Sequence, residues 1–197
     1  MNDPEIRRAL HTKFLRKFHE EPDTLVIDEL GLEHGKCRAD IAVINGHLEG
    51  FEVKSNADTL QRLSHQILSY NAVFDHSSIV VEDRYLDDVI RIVPNWWGII
   101  QVTSSYCEEL HFRIVRPSIQ NINTNNYAVA QLLWRNEAQE ILFNLGVTGS
   151  QLRQKRSVLY RAIIEMMDAN ELRKVVRQYL KNRQNWRPLS QLPLGGD

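Results

Sequence analysis

This chain is poor in the features that staple or anchor a protein. Its 197 residues hold two cysteines, Cys37 and Cys107, 70 positions apart. That excludes a disulfide framework and offers no metal-ligand spacing. Long apolar runs are missing: residues 41–44 and 114–115 fall far short of the ~20 needed to span a bilayer. The first eight residues, MNDPEIRR, lack an apolar stretch of the secretory kind, so a cytosolic location without membrane association is expected. Net charge is nearly absent too, with 24 Lys+Arg against 25 Asp+Glu and a sum of −1. This excludes a disordered polyelectrolyte and a uniformly basic nucleic-acid coat. What is present, 43% hydrophobic residues, suits a soluble domain able to bury a core. At ~150 residues per domain the length predicts one domain, or one with a small appendage.

The near-zero sum hides an asymmetry. Residues 1–120 carry 13 basic and 19 acidic side chains, and residues 121–197 carry 11 and 6. A basic segment beside an acidic one suggests separate roles, the basic one able to meet an acidic partner.

Asp3-Pro4 reads as a cap and first helical position, and Ile6, Leu10, Phe14 and Phe18 follow at helical spacing to about Glu21. Strands are then predicted at 25–30, 38–44 and 48–54. Helical period returns from Thr59 to Phe74, with Asp58 as cap, before a short strand at 78–82 and a short helix at 84–93. Residues 98–103 and 110–115 alternate as two more strands. An Asn-rich connector at 120–126 precedes helices expected at 127–145, 150–168 (capped by Ser150) and 170–183. The fold class is therefore α/β or α+β, a mixed sheet flanked by helices. The expected organisation is a unit over 1–119, a basic helical extension over 127–183 and a loose tail over 184–197.

Chemistry concentrates on the second and third strands. Positions i and i+2 share a strand face, so Glu52 and Lys54 project together, opposite Phe51 and Val53. Asp40 and Ala42 likewise oppose Ile41 and Val43. Matching the apolar faces requires Ile44 to pair with Leu48 around a three-residue Asn45-Gly46-His47 loop, because a one-residue slip would flip every side chain. That register sets Asp40 opposite Glu52 and predicts a bulged turn with Gly46 left-handed. Gly50 on the same face leaves room for a ligand to approach. Two facing carboxylates repel unless a cation lies between them, and Mg²⁺ favours carboxylate oxygens while keeping waters for a phosphate.

Asp40, eleven intervening residues and then Glu52-Val53-Lys54 resemble the D…(D/E)XK signature of the PD-(D/E)XK nuclease superfamily. Gln66 and Tyr70 on the next helix match the QxxxY motif of its RecB-like branch. The wider stretch from Ile27 through Arg38 to Asp58 is similar to a poorly characterised bacterial group in that superfamily. The resemblance covers roughly residues 5–103. It implies a restriction-endonuclease-like fold and Mg²⁺- or Mn²⁺-dependent phosphodiester hydrolysis, with DNA as the favoured substrate. It makes Asp40, Glu52 and the Val53 carbonyl metal ligands, Lys54 the residue orienting or activating water, and Gln66 a phosphate or water contact. Members often carry a further acidic ligand from the first helix or strand, and Glu29 is the candidate, ahead of Glu5. Nothing places His34 or His11 in such a role.

Other residues have quieter readings. Arg38 and Arg62 can reach phosphate from beside the site. Tyr70 falls on an apolar stripe, which predicts core packing with its hydroxyl at the rim and in reach of nucleic acid. Trp96 and Trp97 fit core or sheet-edge packing better than base stacking. Cys37 reads as a small buried hydrophobe, and no His pair has zinc spacing. Residues 151–187 hold ten basic side chains, among them Arg153, Lys155 and Arg156, against three acidic ones. Their apolar stripes predict docking on the preceding unit or on a second copy as a homodimer. Their basic face would supply sequence-independent attraction to nucleic acid. Beside a metal-dependent nuclease three alternatives remain: a nuclease-like module that binds nucleic acid without significant catalysis in a repair, mobile-element or defence system, a sequence-specific restriction-type endonuclease, or a structural interaction protein whose polar sheet face is incidental.

Overall fold

Six strands lie side by side in chain order in the computed structural model, which describes residues 1–105 and 109–183. Cys107, Arg187 and the tail over 184–197 lie outside the described residues. β1 (Leu25–Leu32), β2 (Cys37–Ile44) and β3 (Leu48–Lys54) form an antiparallel meander. β4 (His76–Glu82) and β5 (Gly98–Ser104) join in parallel, and β6 (Leu110–Arg116) is antiparallel again. The mixed α/β class expected from the element order is what the chain adopts.

Helices cover both faces. On one, α1 (Asp3–Ala9), a π-helical turn over Leu10–Phe14 and α2 (Arg16–Glu20) pack Ile6, Leu10 and Leu15 onto Ile41, Val43, Phe51, Val53 and Val80. On the other lie α3 (Leu63–Val73) and α4 (Asp83–Ile92), which make the two parallel crossovers. The same layer holds α5 (Asn126–Ala130), α6 (Arg135–Asn144), α7 (Arg156–Met166) and α8 (Ala169–Asn182). Val129, Leu159, Ile163, Leu172 and Val176 share one continuous core with Ala42, Ile44, Leu48 and Ile79. The helical extension thus docks on the sheet. No helix among the described residues is long and apolar enough to cross a membrane.

The hairpin register is the one the core demands: Ile44 pairs with Leu48 and Ile41 with Phe51. The turn is made differently from expectation. Gly46 stays out of the left-handed region. Instead the Asn45 side chain accepts the His47 N–H at 2.9 Å, and the Asn45 N–H donates to the His47 carbonyl. The local Asn bond does what a positive φ would have done. Gly50 also corrects the sequence reading, because a Cβ there would lie 2.6 Å from the Phe74 ring. Its space is taken by the core, not by a ligand.

Helix boundaries moved for identifiable reasons. Asn2, not Asp3, caps α1 through a reciprocal box with Glu5, which removes Glu5 from the site. Asp58 accepts both the N–H and the hydroxyl of Ser55, closing a loop, so α3 starts only at Leu63. The stretch 127–145 breaks before Trp134, which is extended, its N–H held by Glu137. Ser150 falls in a short 3-10 turn over Gly149–Arg153, and Asp168 caps α8.

Candidate active site

The ladder between β2 and β3 stops being backbone-to-backbone at Asp40. Asp40 Oδ2 accepts the Val53 N–H at 2.7 Å, so a side chain takes the place of a carbonyl. Across from it on β1, Glu29 adopts φ 57°. A left-handed residue bearing a side chain is uncommon and costs roughly 1–3 kcal/mol of strain, which persists only where the surroundings impose it. Its effect is visible in the packing. Ile27 and Leu30, three apart and due to face opposite ways, lie in the same core layer, as do Ala39 and Ala42 on β2. The alternation resets at the level of Glu29 and Asp40. That reset frees both carboxylates from the core pattern and turns them toward one cavity.

Glu52 and Lys54 sit in the helix-side layer, 1% and 4% exposed, rather than on a solvent face. Lys54 Nζ donates to Glu52 Oε1 at 2.6 Å and to Gln66 Oε1 at 3.0 Å. Gln66 Nε2 also donates to Glu52 Oε1. The Tyr70 hydroxyl donates to Glu52 Oε2 at 2.7 Å and accepts the Asp40 N–H at 3.3 Å. The first and fifth motif residues, one turn apart on α3, thereby grip the two oxygens of one carboxylate. Tyr70 is fully buried, so it is a support of Glu52 and not a nucleic-acid contact.

Sequence reasoning did not find Arg7. From α1 its guanidinium reaches Asp40 Oδ1 at 2.6 Å and Glu29 Oε1 at 2.8 Å, with Nε 2.9 Å from Asp3 Oδ2. Only the excess of acidic residues around it could have hinted at such a partner, because these contacts span 22 and 33 positions. Burial works against Arg7's charge, but Asp40 and Asp3 outweigh it and raise its pKa. For Asp40, burial and the Glu52 charge push the carboxyl up to about 7, against the pull of Arg7 and the Val53 N–H. Burial, reinforced by Glu52, also raises the Tyr70 phenol. Burial raises the Cys37 thiol, which fits a packed side chain and not a nucleophile.

Asp40, Glu52, Val53, Lys54, Gln66 and Glu29 all line one cavity of about 580 Å³. Lys36, Arg38, Arg62 and His65 are exposed at its mouth. Arg38 lies 3.6 Å from Glu29, whereas Lys36 and Arg62 have no carboxylate partner among the described residues. His34, next along from the mouth, stacks on Tyr160 of α7 and lies within the field of Arg156. Arg153 and Lys155 are exposed nearby in sequence but do not line the cavity. Not all of the basic segment is free for a partner. Arg183 forks onto Glu137 at 2.6 and 2.7 Å, Lys181 pairs with Asp23, and Arg173 lies 3.7 Å from Asp75. Trp97 is buried with its N–H on Asn71, and Trp96 packs beside it.

Among the described residues, no three His, Cys, Asp or Glu side chains form a group arranged to hold a metal ion. Two carboxylates and a carbonyl are nevertheless a suitable set for a hard ion that keeps several waters. Asp40 supports that fit: its carboxyl is forced toward neutrality by burial and by the Glu52 charge, and a cation would relieve the repulsion between the two carboxylates.

The chain matches, over residues 1–191, the family described as Bacteriophage P4 protein cII. It belongs to that family. A relative, "Protein cII" of Enterobacteria phage P4, is 26% identical over 187 residues, covering 93% of this chain and 68% of the relative. A solved structure, the SPO1766 protein of unknown function from Silicibacter pomeroyi, is similar with a TM-score of 0.44 and 17% identity, covering 71% of this chain and 88% of that one. None of these names states a reaction.

Proposed function

We propose that this cII-family chain is a metal-dependent nuclease of the PD-(D/E)XK type, hydrolysing phosphodiester bonds in DNA. The observation that carries the reading is the convergence of Asp40, Glu52, Lys54 and Gln66 on one acidic cavity whose mouth is cationic. Asp40, Glu52 and the Val53 carbonyl would hold Mg²⁺ or Mn²⁺, with Glu29 as a further ligand. When bound, the ion would make a coordinated water more acidic and offset phosphate charge.

This chain's own residues do the rest. Lys54 is held by Glu52 and Gln66 in a fixed position, so its ammonium can orient the attacking water and offset charge on the phosphate. Gln66 presents an amide to a phosphate oxygen or a water. Arg38, Arg62 and Lys36 draw the backbone to the mouth, and Arg156 at the first turn of α7, with Lys155 and Arg153 just before it, extends the attraction. Family membership supports a setting in mobile elements.

One observation favours a second reading, a nucleic-acid-binding module without catalysis. Both oxygens of Asp40 and both of Glu52 already accept from protein donors. The two readings separate on incubation with linear, circular and single-stranded DNA and with RNA, in Mg²⁺ or Mn²⁺. Cleavage by the natural chain that is lost in Asp40→Asn and in Lys54→Ala supports the nuclease. Mobility shifts without cleavage support the binding module, and neither result leaves the polar site without a nucleic-acid role.

A further inference from the structure

Of the donors that occupy the two central carboxylates, only one is able to leave. The Val53 N–H is fixed in a strand, Tyr70 is buried, Lys54 is 5% exposed at its side chain and tied to two partners, and Gln66 is tied to both Lys54 and Glu52. Arg7 is different. It approaches from a separate element on a long side chain, 20% exposed, and it touches two further carboxylates besides Asp40. If Asp40 and Glu29 are taken by another cation, Asp3 at 2.9 Å from Nε remains. Asp3 lies on the same helix four residues earlier, so this pair survives any movement of α1 as a body.

We infer that Arg7 is a displaceable internal counter-cation. It neutralises Asp40 and Glu29 while no ion is bound, and it withdraws onto Asp3 when a divalent cation enters. The inference rests on the metal reading above and adds a regulation to it: the guanidinium and the ion compete for the same carboxylate oxygens. Each charge-assisted bond to Asp40 and Glu29 that must break lowers the apparent affinity, as any population held in an ion-incompetent state does.

The test uses the full chain, Mn²⁺ or Mg²⁺ alone as the probe, and calorimetric titration with no nucleic acid present. Arg7→Gln is expected to tighten Mn²⁺ binding by about tenfold, the equivalent of one charge-assisted hydrogen bond. Asp3→Asn, which removes the place of withdrawal, is expected to weaken it. Arg7→Lys keeps the charge but not the fork, and it is expected to tighten binding part of the way. A purely long-range effect of charge would leave Arg7→Lys like the natural chain and would overturn the displacement. The direct readout is the Arg7 Nε–H resonance, assigned by its loss in Arg7→Lys. It is expected to move on addition of diamagnetic Mg²⁺, and an unmoved signal at saturating Mg²⁺ would also overturn the displacement. Weaker binding in Arg7→Gln would show Arg7 to be a support of the ion site and not its competitor. Saturable binding equal in all variants defeats the inference and leaves the metal site standing. No binding in any variant defeats both.

Discussion

Tyr70 and Glu52 sit on different elements, yet the tyrosine hydroxyl is bonded to Glu52 Oε2 at 2.7 Å inside the core. The ring packs on Phe74 and Trp97 while its oxygen serves the carboxylate, so one residue joins the apolar layer to the charged site. Tyr70→Phe keeps the ring and strands a buried oxygen. Its expected cost is about 1–3 kcal/mol in urea unfolding, with divalent-cation binding retained. Tyr70→Ala, which also empties ring volume, is expected to cost about 3–5 kcal/mol. Unchanged stability in Tyr70→Phe beside a full loss in Tyr70→Ala would show that the hydroxyl contributes nothing.

Asp40 gives a pH dependence with a definite sign. Its carboxyl is raised to about 7 in the folded chain, against an ordinary value of about 4. Between those values the folded state holds a proton that the unfolded state has released. Its contribution to cation-free stability is therefore full below about pH 4 and is lost as pH rises through about 7. Asp40→Asn removes this component. The difference in urea midpoint between the natural chain and Asp40→Asn is expected to shift in the variant's favour from pH 4 to pH 8. Cation affinity runs the other way, rising through pH 7 as Asp40 loses its proton. A midpoint difference that does not change over this range would show that Asp40 is not raised.

Gly50 is held by Phe74. A methyl group at this position would press on the ring at 2.6 Å, in a layer with no slack. Gly50→Ala is expected to destabilise by about 1–3 kcal/mol by thermal unfolding. Pairing it with Phe74→Leu, which shortens the opposing side chain, is expected to recover part of that loss.

The basic residues of the C-terminal helices divide into two groups with opposite signatures. Arg156 and Lys155 are exposed, and Arg156 has no carboxylate partner among the described residues. Arg156→Gln is expected to leave stability within about 0.5 kcal/mol and to reduce the salt slope of DNA binding by about 1. Arg183 is buried on Glu137 and stacked on Trp134. Arg183→Ala leaves a buried carboxylate unpaired and is expected to cost about 3–5 kcal/mol, with the salt slope unchanged. Titrations of both variants at several salt concentrations, beside their unfolding curves, check the division.

Most of the sheet was legible in the sequence because alternation is a local signal and both faces needed covering. The Ile44–Leu48 register followed from matching apolar faces, and the pairing of Glu52 with Lys54 followed from the strand period, whereas Gln66 was placed at the site only by its resemblance to the QxxxY motif. What escaped was decided by distant partners or by backbone conformation. Arg7 joins Asp40 across 33 positions, and no periodicity announces an ion pair of that span. The left-handed Glu29 resets a strand's alternation without a glycine to mark it. The turn at Gly46 was misread because Asn45, ordinarily a partner for a left-handed glycine, closed the loop with its own side chain. Tyr70 was placed at the rim because its stripe was visible and the carboxylate beneath it was not.

The continuous core between the sheet and the last helices has a temporal consequence. Lys181 bonds to Asp23 across 158 positions, and α8 packs against β2, the strand that carries Asp40. During synthesis the residues of the acidic cavity leave the ribosome before α8, so the layer behind them is completed only once α8 has emerged. A nascent chain stopped before α8 would hold every residue of the motif and still lack the helix packed behind β2. The layer behind the site is therefore closed only with α8, well after every residue of the motif has emerged.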